Sequence, residues 1–175
     1  MKDNPSDKVY TPDFIVDEVL AIFGENILDD EVKLEPHRGG GAFYNKFSGL
    51  KDWCEIDDGK DFFNYTDKVD WIITNPPYSI FKECLDHSLS LANEILYVIP
   101  MNKLLSSMPR LISIKKAGFG IRHIHYLGSG RQLKFPFGFP VGAVWISKDY
   151  NRDTTKITYA DRCFNAKEKR KRGNK

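Results

Sequence analysis

The tetrad Asn75-Pro76-Pro77-Tyr78 follows the most apolar run of the chain. A Pro-Pro pair at the end of a strand fixes a stretched turn whose carbonyl groups have no strand partners, so the turn presents hydrogen-bond acceptors. The Asn75 side-chain oxygen and the Pro76 carbonyl could accept both N–H groups of a planar exocyclic amine, and its nitrogen could then pyramidalise toward an electrophile. Tyr78 could stack on the attached ring. A purely structural Asn-Pro turn explains fewer of the four residues.

A second cluster, residues 34–43, is rich in glycine and has the sequence LEPHRGGGAF. Glycines let a ligand approach bare backbone, whose amides can donate hydrogen bonds where a side chain would clash. A tight turn with no ligand is an equally good interpretation of this cluster taken alone.

A third cluster, after the second predicted strand, is acidic. A carboxylate here, such as Glu55, suits the hydroxyls of a ribose. Asp61 followed by Phe62 suits an adenine, since the acid can accept from the exocyclic amine while the ring packs on the base. For Asp57 and Asp58 an ordinary solvated loop is the better interpretation.

These clusters must be positioned by the secondary structure that precedes them. Apolar runs predict strands over 32–35, 50–56, 70–74, 95–99, 121–127 and 141–147. Amphipathic spacing predicts a helix that begins at Pro12 with Thr11 as its cap, a second helix capped by Ser79, and a short basic helix over 109–117. Strands that alternate with helices indicate a doubly wound α/β sheet, in which ligands bind beyond the carboxyl ends of the strands.

Length and composition indicate one domain. The chain has 175 residues, of which 41% are hydrophobic and 29% charged, as in a soluble globular protein. No window is apolar enough to span a bilayer, and the first residues lack the apolar core of a signal peptide. Three widely spaced cysteines offer no disulfide framework. We therefore expect a cytoplasmic protein without a membrane partner.

The formal net charge of +2 conceals an uneven distribution. Residues 1–99 contain 9 Lys+Arg and 20 Asp+Glu, whereas residues 100–175 contain 17 and 4, so the two parts carry −11 and +13. This asymmetry suggests that the second part contacts a polyanion. A tail that only aids solubility is an equally good interpretation of the last 14 residues taken alone.

The clusters together resemble the motifs of the S-adenosylmethionine-dependent N6-adenine DNA methyltransferases, in particular small members of the type found in phages and prophages. The tetrad resembles the catalytic motif, and Asp61-Phe62 resembles the motif that reads the cofactor adenine. The first cofactor motif of the family is resembled by Glu35, Pro36, Gly39, Gly41 and Phe43. The N-terminal motif, which borders the methionine moiety, is resembled by Tyr10, Thr11 and Pro12. The resemblance runs from about Val9 to Tyr150.

The resemblance implies a Rossmann-like class I methyltransferase with a mixed seven-stranded sheet. It implies S-adenosylmethionine as cofactor, bound by the residues just named together with Glu55 and Asn75, and adenine in DNA as substrate. We expect a flexible segment over 1–8, a catalytic domain over 9–150 and a basic, partly disordered extension over 151–175.

Two features depart from the family pattern. His37-Arg38 stands where small residues are expected, and only 25 residues follow Tyr150, whereas the family usually carries a large target-recognition domain. Sequence specificity must then be low, borrowed from a partner, or compressed into loops. A homodimer and a protein partner that confers specificity are both open as assemblies.

The best candidate for such a loop is 128–140, which mixes cations and aromatic rings. Arg131 and Lys134 could contact phosphates, while Phe135, Phe137 and Phe139 offer stacking surfaces for an extruded base. The alternative is a hydrophobic lid that packs on its own domain.

Other functions remain open from sequence. The tetrad also suits enzymes that methylate RNA adenines or protein glutamines, and a cofactor- or nucleic-acid-binding subunit with little activity is a further alternative. The +13 part favours nucleic acid over protein, but phosphate charge is common to DNA and RNA. His123 and His125 alternate on one strand face without a third ligand at suitable spacing, so we expect no metal.

Overall fold

The computed structural model describes residues 8–152 and 154–164 as one α/β domain built around a seven-stranded sheet. The strand order is β2-β1-β3-β4-β6-β5-β7. The strands are β1 Lys33–Glu35, β2 Lys51–Trp53, β3 Val69–Thr74, β4 Ala92–Pro100, β5 Phe119–Ser129, β6 Pro140–Lys148 and β7 Lys156–Tyr159. The helices are α1 Asp13–Phe23, α2 Phe81–Leu91, α3 Met101–Leu105 and α4 Met108–Lys116.

Strand direction makes the sheet mixed. β6 is antiparallel to both β4 and β5, and every other pairing is parallel. The six co-directional strands therefore end at one edge of the sheet, which we call the carboxyl edge, and begin at the other, the amino edge. The prediction of a doubly wound, mixed seven-stranded sheet is confirmed.

Helices cover both faces of the sheet because neighbouring strand residues point to opposite sides. Ile73 and Trp71 pack in the core beneath α1, together with Val16 and Val19 of that helix. Ile72, between them in sequence, belongs to the core on the other face. That second core is completed by α2 and α4. Both faces of β3 are thus buried, which explains its uninterrupted apolar sequence.

The helix starts differ from the predicted ones. The N-cap of α1 is Pro12, whose extended backbone lets its carbonyl accept from Ile15 N at 2.9 Å, and no side chain caps the helix. Thr11 is therefore not the cap. Likewise α2 has Ile80, not Ser79, at its N-cap. In each case the helix begins one residue later than predicted.

The seventh strand lies beyond position 150, where the predicted catalytic domain ends. β7 pairs in parallel with β5, from His123 opposite Lys156 to Tyr126 opposite Tyr159. The sheet thus includes Lys156–Tyr159, which lie in the predicted extension. Most of the predicted flexible N-terminus and the basic tail 167–175 lie outside the described residues. Within the described part, no helix is long and apolar enough to cross a membrane.

Candidate active site

A cavity of about 970 Å³ opens at the carboxyl edge, beyond the ends of β1, β2 and β3. This is the position at which open α/β sheets bind ligands. The predicted site residues that line it are Tyr10, Thr11, Glu35, Pro36, Gly39, Gly41, Glu55, Asp61, Phe62, Asn75 and Pro77. All three sequence clusters therefore meet in one cavity.

Four of the predicted catalytic and cofactor-binding residues do not line this cavity. Phe43 is 1% exposed and belongs to the apolar core beneath α1, where it lies near Phe47. Pro12 is the N-cap of α1. Pro76 is buried, and Tyr78 lies beside the cavity against the loop that follows β5.

The glycine cluster forms a loop with two left-handed residues. Gly39 has φ +49° and Gly41 has φ +77°, which glycine adopts without steric cost. A β-carbon on Gly39 would lie 2.9 Å from the Tyr10 ring, so glycine also permits this close contact. A β-carbon on Gly40 would meet no protein atom within 4 Å, although Gly40 lines the cavity. The backbone is thus open to a ligand at Gly40.

Glu35, at the end of β1, holds this loop closed. Its carboxylate accepts from Tyr44 N at 2.7 Å and from Phe43 N at 3.4 Å. The side chain is buried, and burial raises the pKa of Glu35 to about 8, although the two backbone donors act in the opposite direction. Glu35 therefore shapes the glycine loop as well as lining the cavity.

Glu55 joins the glycine loop to the acidic loop. It accepts from Gly39 N at 2.6 Å, and its other oxygen accepts from Asp57 N at 3.4 Å. Asp57 and Asp58 are exposed and form ion pairs with Lys8 and Arg38 at 2.6 and 2.7 Å. Exposed pairs of this kind contribute little, about 0 to 1 kcal/mol. Glu55 is thus the structural link between the loops.

Asp61 and Phe62 form a capped turn at the wall of the cavity. Asp61 Oδ1 accepts from Phe63 N at 2.9 Å, and Phe62 is 2% exposed. His87 lies under this turn, with Nε2 3.0 Å from the Phe62 carbonyl and 3.1 Å from the Tyr65 carbonyl, so it donates to the turn. Sequence reasoning gave His87 no role, because nothing in the helix pattern connects it to residues 62–65.

His37 separates the glycine loop from α2. Its ring meets Phe62 edge to face at 5.3 Å, and its Nε2 lies 3.4 Å from Cys84 Sγ. Burial lowers the pKa of His37 to about 4, against the smaller opposing effect of Asp61. The imidazole is therefore neutral at neutral pH and acts as a packing group beside the predicted adenine site.

The tetrad residue Asn75 is held by two hydrogen bonds at the end of β3. Asn75 Nδ2 donates to the Val9 carbonyl at 3.0 Å, and Asn75 Oδ1 accepts from the Tyr78 hydroxyl at 2.8 Å. Lys103 Nζ donates to the Tyr78 carbonyl at 3.3 Å. Since the amide group is anchored through its nitrogen, its oxygen is left as the acceptor. The Val9 contact has no signature in the sequence.

The loop after β5 reaches this corner through one ring. Phe137 meets Tyr78 edge to face at 5.6 Å and stacks on Phe135 at 5.3 Å, with an angle of 6° between the rings. Phe135 is buried, whereas Phe139 is 55% exposed. Arg131 and Lys134 are both exposed. Part of the predicted nucleic-acid loop thus packs on its own domain, and part faces outward.

The two histidines of β5 serve the interior of the fold. His123 Nε2 and His125 Nδ1 each lie 2.8 Å from Thr158 Oγ1 on β7, and His125 Nε2 lies 3.2 Å from Glu18 on α1. Across residues 8–152 and 154–164, no group of three or more His, Cys, Asp or Glu side chains is placed to hold a metal ion.

Comparisons with known proteins define the fold class. No family model and no curated protein sequence matches the chain. A structure from Listeria monocytogenes assigned as a class I S-adenosylmethionine-dependent methyltransferase matches with TM-score 0.68 and 12% identity, over 95% of this chain and 71% of that one. A structure from Pyrococcus horikoshii assigned as an RNA methyltransferase matches with TM-score 0.64 and 16% identity, over 84% and 90%.

A third similar structure is the M protein of the type I restriction enzyme EcoKI. It matches with TM-score 0.61 and 12% identity over 79% of this chain and 44% of that one, so the match spans less than half of the M protein. At such low identities these likenesses show the fold alone. The chain has the Rossmann-like fold of the class I methyltransferases.

Proposed function

We propose that this protein transfers a methyl group from S-adenosylmethionine to the N6 amine of adenine in DNA. The observation that carries the proposal is that Asn75, at the end of β3, lines the same cavity as the glycine loop and the Asp61-Phe62 turn. The tetrad alone would fit a structural turn. Its position beside a cavity suited to a nucleoside fits catalysis on an amine.

The cavity residues fit this cofactor in three respects. The backbone at Gly40 is open to a ligand, as the free space at its β-carbon position indicates. Asp61 uses one oxygen on Phe63 N, and its other oxygen has no hydrogen-bond partner among the described residues, so it can accept from an adenine amine. Phe62 and Phe63 line the same wall and can pack on the base.

When bound, the cofactor supplies a methyl group on a positively charged sulfur, which a nitrogen lone pair can attack. The chain acts on the acceptor amine. Asn75 Oδ1, fixed by the Nδ2 bond to Val9, accepts one N–H, and the Pro76 carbonyl accepts the other. These acceptors stabilise the positive charge that develops on the nitrogen and orient its lone pair. No strong base is required, because the methylated amine loses its proton readily.

Tyr78 must change its contacts when the base arrives. In the free protein its hydroxyl occupies Asn75 Oδ1, and its ring rests against the edge of Phe137. An extruded adenine would stack on the Tyr78 ring and donate its amine to Asn75 in place of the hydroxyl. Phe137 and the exposed Phe139 would border the base, while Arg131 and Lys134 would contact phosphates.

RNA adenine is the second candidate substrate. The Pyrococcus horikoshii structure assigned as an RNA methyltransferase matches over 90% of its own length, so the two chains are of similar extent. The described part of this chain forms one seven-stranded α/β sheet with its helices. We propose that sequence preference is supplied by a second copy of the chain or by a protein partner.

The acceptor can be identified by label transfer. Purified protein with methyl-labelled cofactor is offered duplex DNA, single-stranded DNA, structured RNA and a protein mixture in parallel. We expect the label in DNA. After digestion of the DNA to nucleosides, the label should be recovered as N6-methyldeoxyadenosine. Label confined to RNA would establish the second candidate. Cofactor binding in a calorimeter without label transfer to any acceptor would indicate a binding subunit.

A further inference from the structure

A second cavity, of about 790 Å³, lies at the amino edge of the sheet. We call it the amino-edge groove. It is bordered by the end of α1, by the first half of β5, by the end of β6 and by β7, and it shares no lining residue with the candidate active site. Strand β6 crosses the sheet from Pro140, next to Phe139, to Lys148 in the groove. At about 3.3 Å per residue, the length of this strand separates the groove from Phe139 by roughly 27 Å.

The groove is lined by four exposed cations: Arg122, Lys148, Arg152 and Lys156. None of them forms an ion pair with an acid among residues 8–152 and 154–164. Lys8, Arg38, Lys46 and Lys82 elsewhere on the domain are each paired with an aspartate. Two acids, Glu25 and Asp149, also line the groove. Because the four cations outnumber these two acids, the net charge of the lining residues is positive.

Hydrogen bonds hold the residues that neighbour two of these cations, Asp149 after Lys148 and Thr155 before Lys156. Asp149 N donates to the Gly118 carbonyl at 2.8 Å, and Thr155 Oγ1 donates to the Ile121 carbonyl at 2.8 Å. A β-carbon on Gly120 would lie 2.1 Å from the Tyr150 carbonyl oxygen, so Tyr150 packs directly on β5. Lys148 and Lys156 therefore lie next to residues whose positions are fixed by the rest of the fold.

The floor of the groove combines charge with an aromatic side chain. The Arg122 guanidinium lies 4.1 Å from the centre of the Trp145 ring, and His123 is buried next to it. A guanidinium that lies over an aromatic ring keeps its N–H donors available to an anion. Unpaired cations in a fixed concave surface concentrate anions, and phosphate contacts dominate the affinity for nucleic acid.

We propose that the amino-edge groove binds the phosphodiester backbone of a nucleic acid, as a second site separate from the catalytic cavity. Its volume is in the range that holds a multi-group ligand, about 300 to 1,000 Å³, which favours a stretch of backbone over one phosphate ion. The inference extends the proposed function, because it adds an anchoring site for the same class of substrate. It does not depend on the chemistry of Asn75.

The test is binding of labelled nucleic acid to a paired set of variants. The groove variant is Lys148→Gln/Lys156→Gln. The matched control is Lys68→Gln/Lys82→Gln, which removes two exposed lysines outside the groove, one bound to the Ser90 carbonyl and one to Asp86. Fluorescence anisotropy is measured with a duplex DNA, a single-stranded DNA and an RNA, each of about 30 residues, over a range of salt concentrations.

We expect the dissociation constant of the groove variant to rise about tenfold near physiological salt, with the control unchanged. The slope of log K against log salt should flatten by about 1.8 for duplex and about 1.4 for single strands, as expected for two lost phosphate contacts. The probe with the largest change identifies the source of the backbone. An affinity and slope equal to those of the control on all three probes would overturn the inference.

The same variants keep this inference distinct from the proposed function. Cofactor affinity of the groove variant, measured by calorimetry, should equal that of the wild type, which also shows that it is folded. If the wild type transfers no methyl group but the groove variant still loses nucleic-acid affinity, the proposed function fails and the groove assignment stands. If methyl transfer occurs and the groove variant binds nucleic acid like the control, the groove assignment fails and the proposed function stands.

Discussion

The two edges of the sheet use charge in opposite ways. At the carboxyl edge, Glu35, Glu55 and Asp61 each accept a hydrogen bond from a backbone amide of a cavity loop. At the amino edge, Lys148 and Lys156 line a groove without an acidic partner among the described residues. Acids therefore shape one edge from within, while bases are left available at the other.

This difference contributes to the charge asymmetry of the sequence. The acidic first part supplies the strand-end loops, where carboxylates are used to fix backbone, and the basic second part supplies β5, β6, β7 and their turns. Hydrogen bonds from backbone amides give Glu35, Glu55 and Asp61 a part in loop geometry. In the function proposed above, the catalytic role falls to the uncharged Asn75.

The largest expected effect concerns Glu35 and pH. Because its pKa in the folded protein is about 8, well above the ordinary 4.5, the folded state holds this proton more tightly than the unfolded state. Its contribution to stability is complete below about pH 4.5 and is lost as pH rises through about 8. Glu35→Gln keeps the neutral form, so we expect it to remove about 5 kcal/mol of pH-dependent change in the free energy of unfolding.

The measurement is urea unfolding at pH 5, 7 and 9, with the exposed Glu83→Gln as control. A pH profile of Glu35→Gln parallel to that of the wild type would show that Glu35 is not buried as the structure indicates. A buried, hydrogen-bonded Glu35 would then no longer distinguish the carboxyl edge from the amino edge.

The next effect separates binding from turnover at the same edge. Asn75→Ala removes the acceptor that matters as charge develops on the amine, so we expect the methylation rate to fall about a hundredfold or more, with cofactor affinity nearly intact. Single-turnover kinetics and calorimetry check the two parts. Asn93→Ala, an exposed asparagine at the amino edge, should match the wild type in both. Normal turnover by Asn75→Ala would remove the catalytic assignment.

Asp61 tests whether the acidic loops touch ligand as well as backbone. Asp61→Ala should weaken cofactor binding by about 1 to 3 kcal/mol, the cost of an unpaired polar contact. Asp86→Ala removes the ion pair with Lys82, which lies outside the cavity, and should change the affinity by less than about 1 kcal/mol. Calorimetry on both variants decides the matter: equal affinities would place Asp61 outside the cofactor site.

The smallest of these effects compares two left-handed glycines. Gly39→Ala would bring a β-carbon to 2.9 Å from the Tyr10 ring, whereas at Gly59, φ +76°, no protein atom lies within 4 Å. Both variants should lose about 1 to 2 kcal/mol of stability from backbone strain. We expect only Gly39→Ala to weaken cofactor binding as well, by about tenfold, because it displaces Tyr10. Equal cofactor affinities would show that the Tyr10 contact is unimportant.

The sequence predicted what local patterns determine. The apolar run of β3 and the turn after it follow from residues adjacent in the chain, and the rule for strand ends then places the three clusters at one edge. The seventh strand was missed because Lys156–Tyr159 is short and mostly exposed, and it forms only through pairing with β5. The Val9–Asn75 bond joins residues 66 positions apart, and the amino-edge groove unites four separate segments. No spacing in the sequence indicates either.

Methyl transfer to the N6 amine of adenine, with Asn75 as the catalytic residue, is tested most directly by identifying the methylated nucleoside. Wild type and Asn75→Ala are incubated with methyl-labelled S-adenosylmethionine and duplex DNA, and the DNA is digested to nucleosides and separated by chromatography. We expect the label from the wild-type reaction to elute with N6-methyldeoxyadenosine and the label from Asn75→Ala to be reduced at least about a hundredfold. Label on cytosine, or equal label from both proteins, would contradict it.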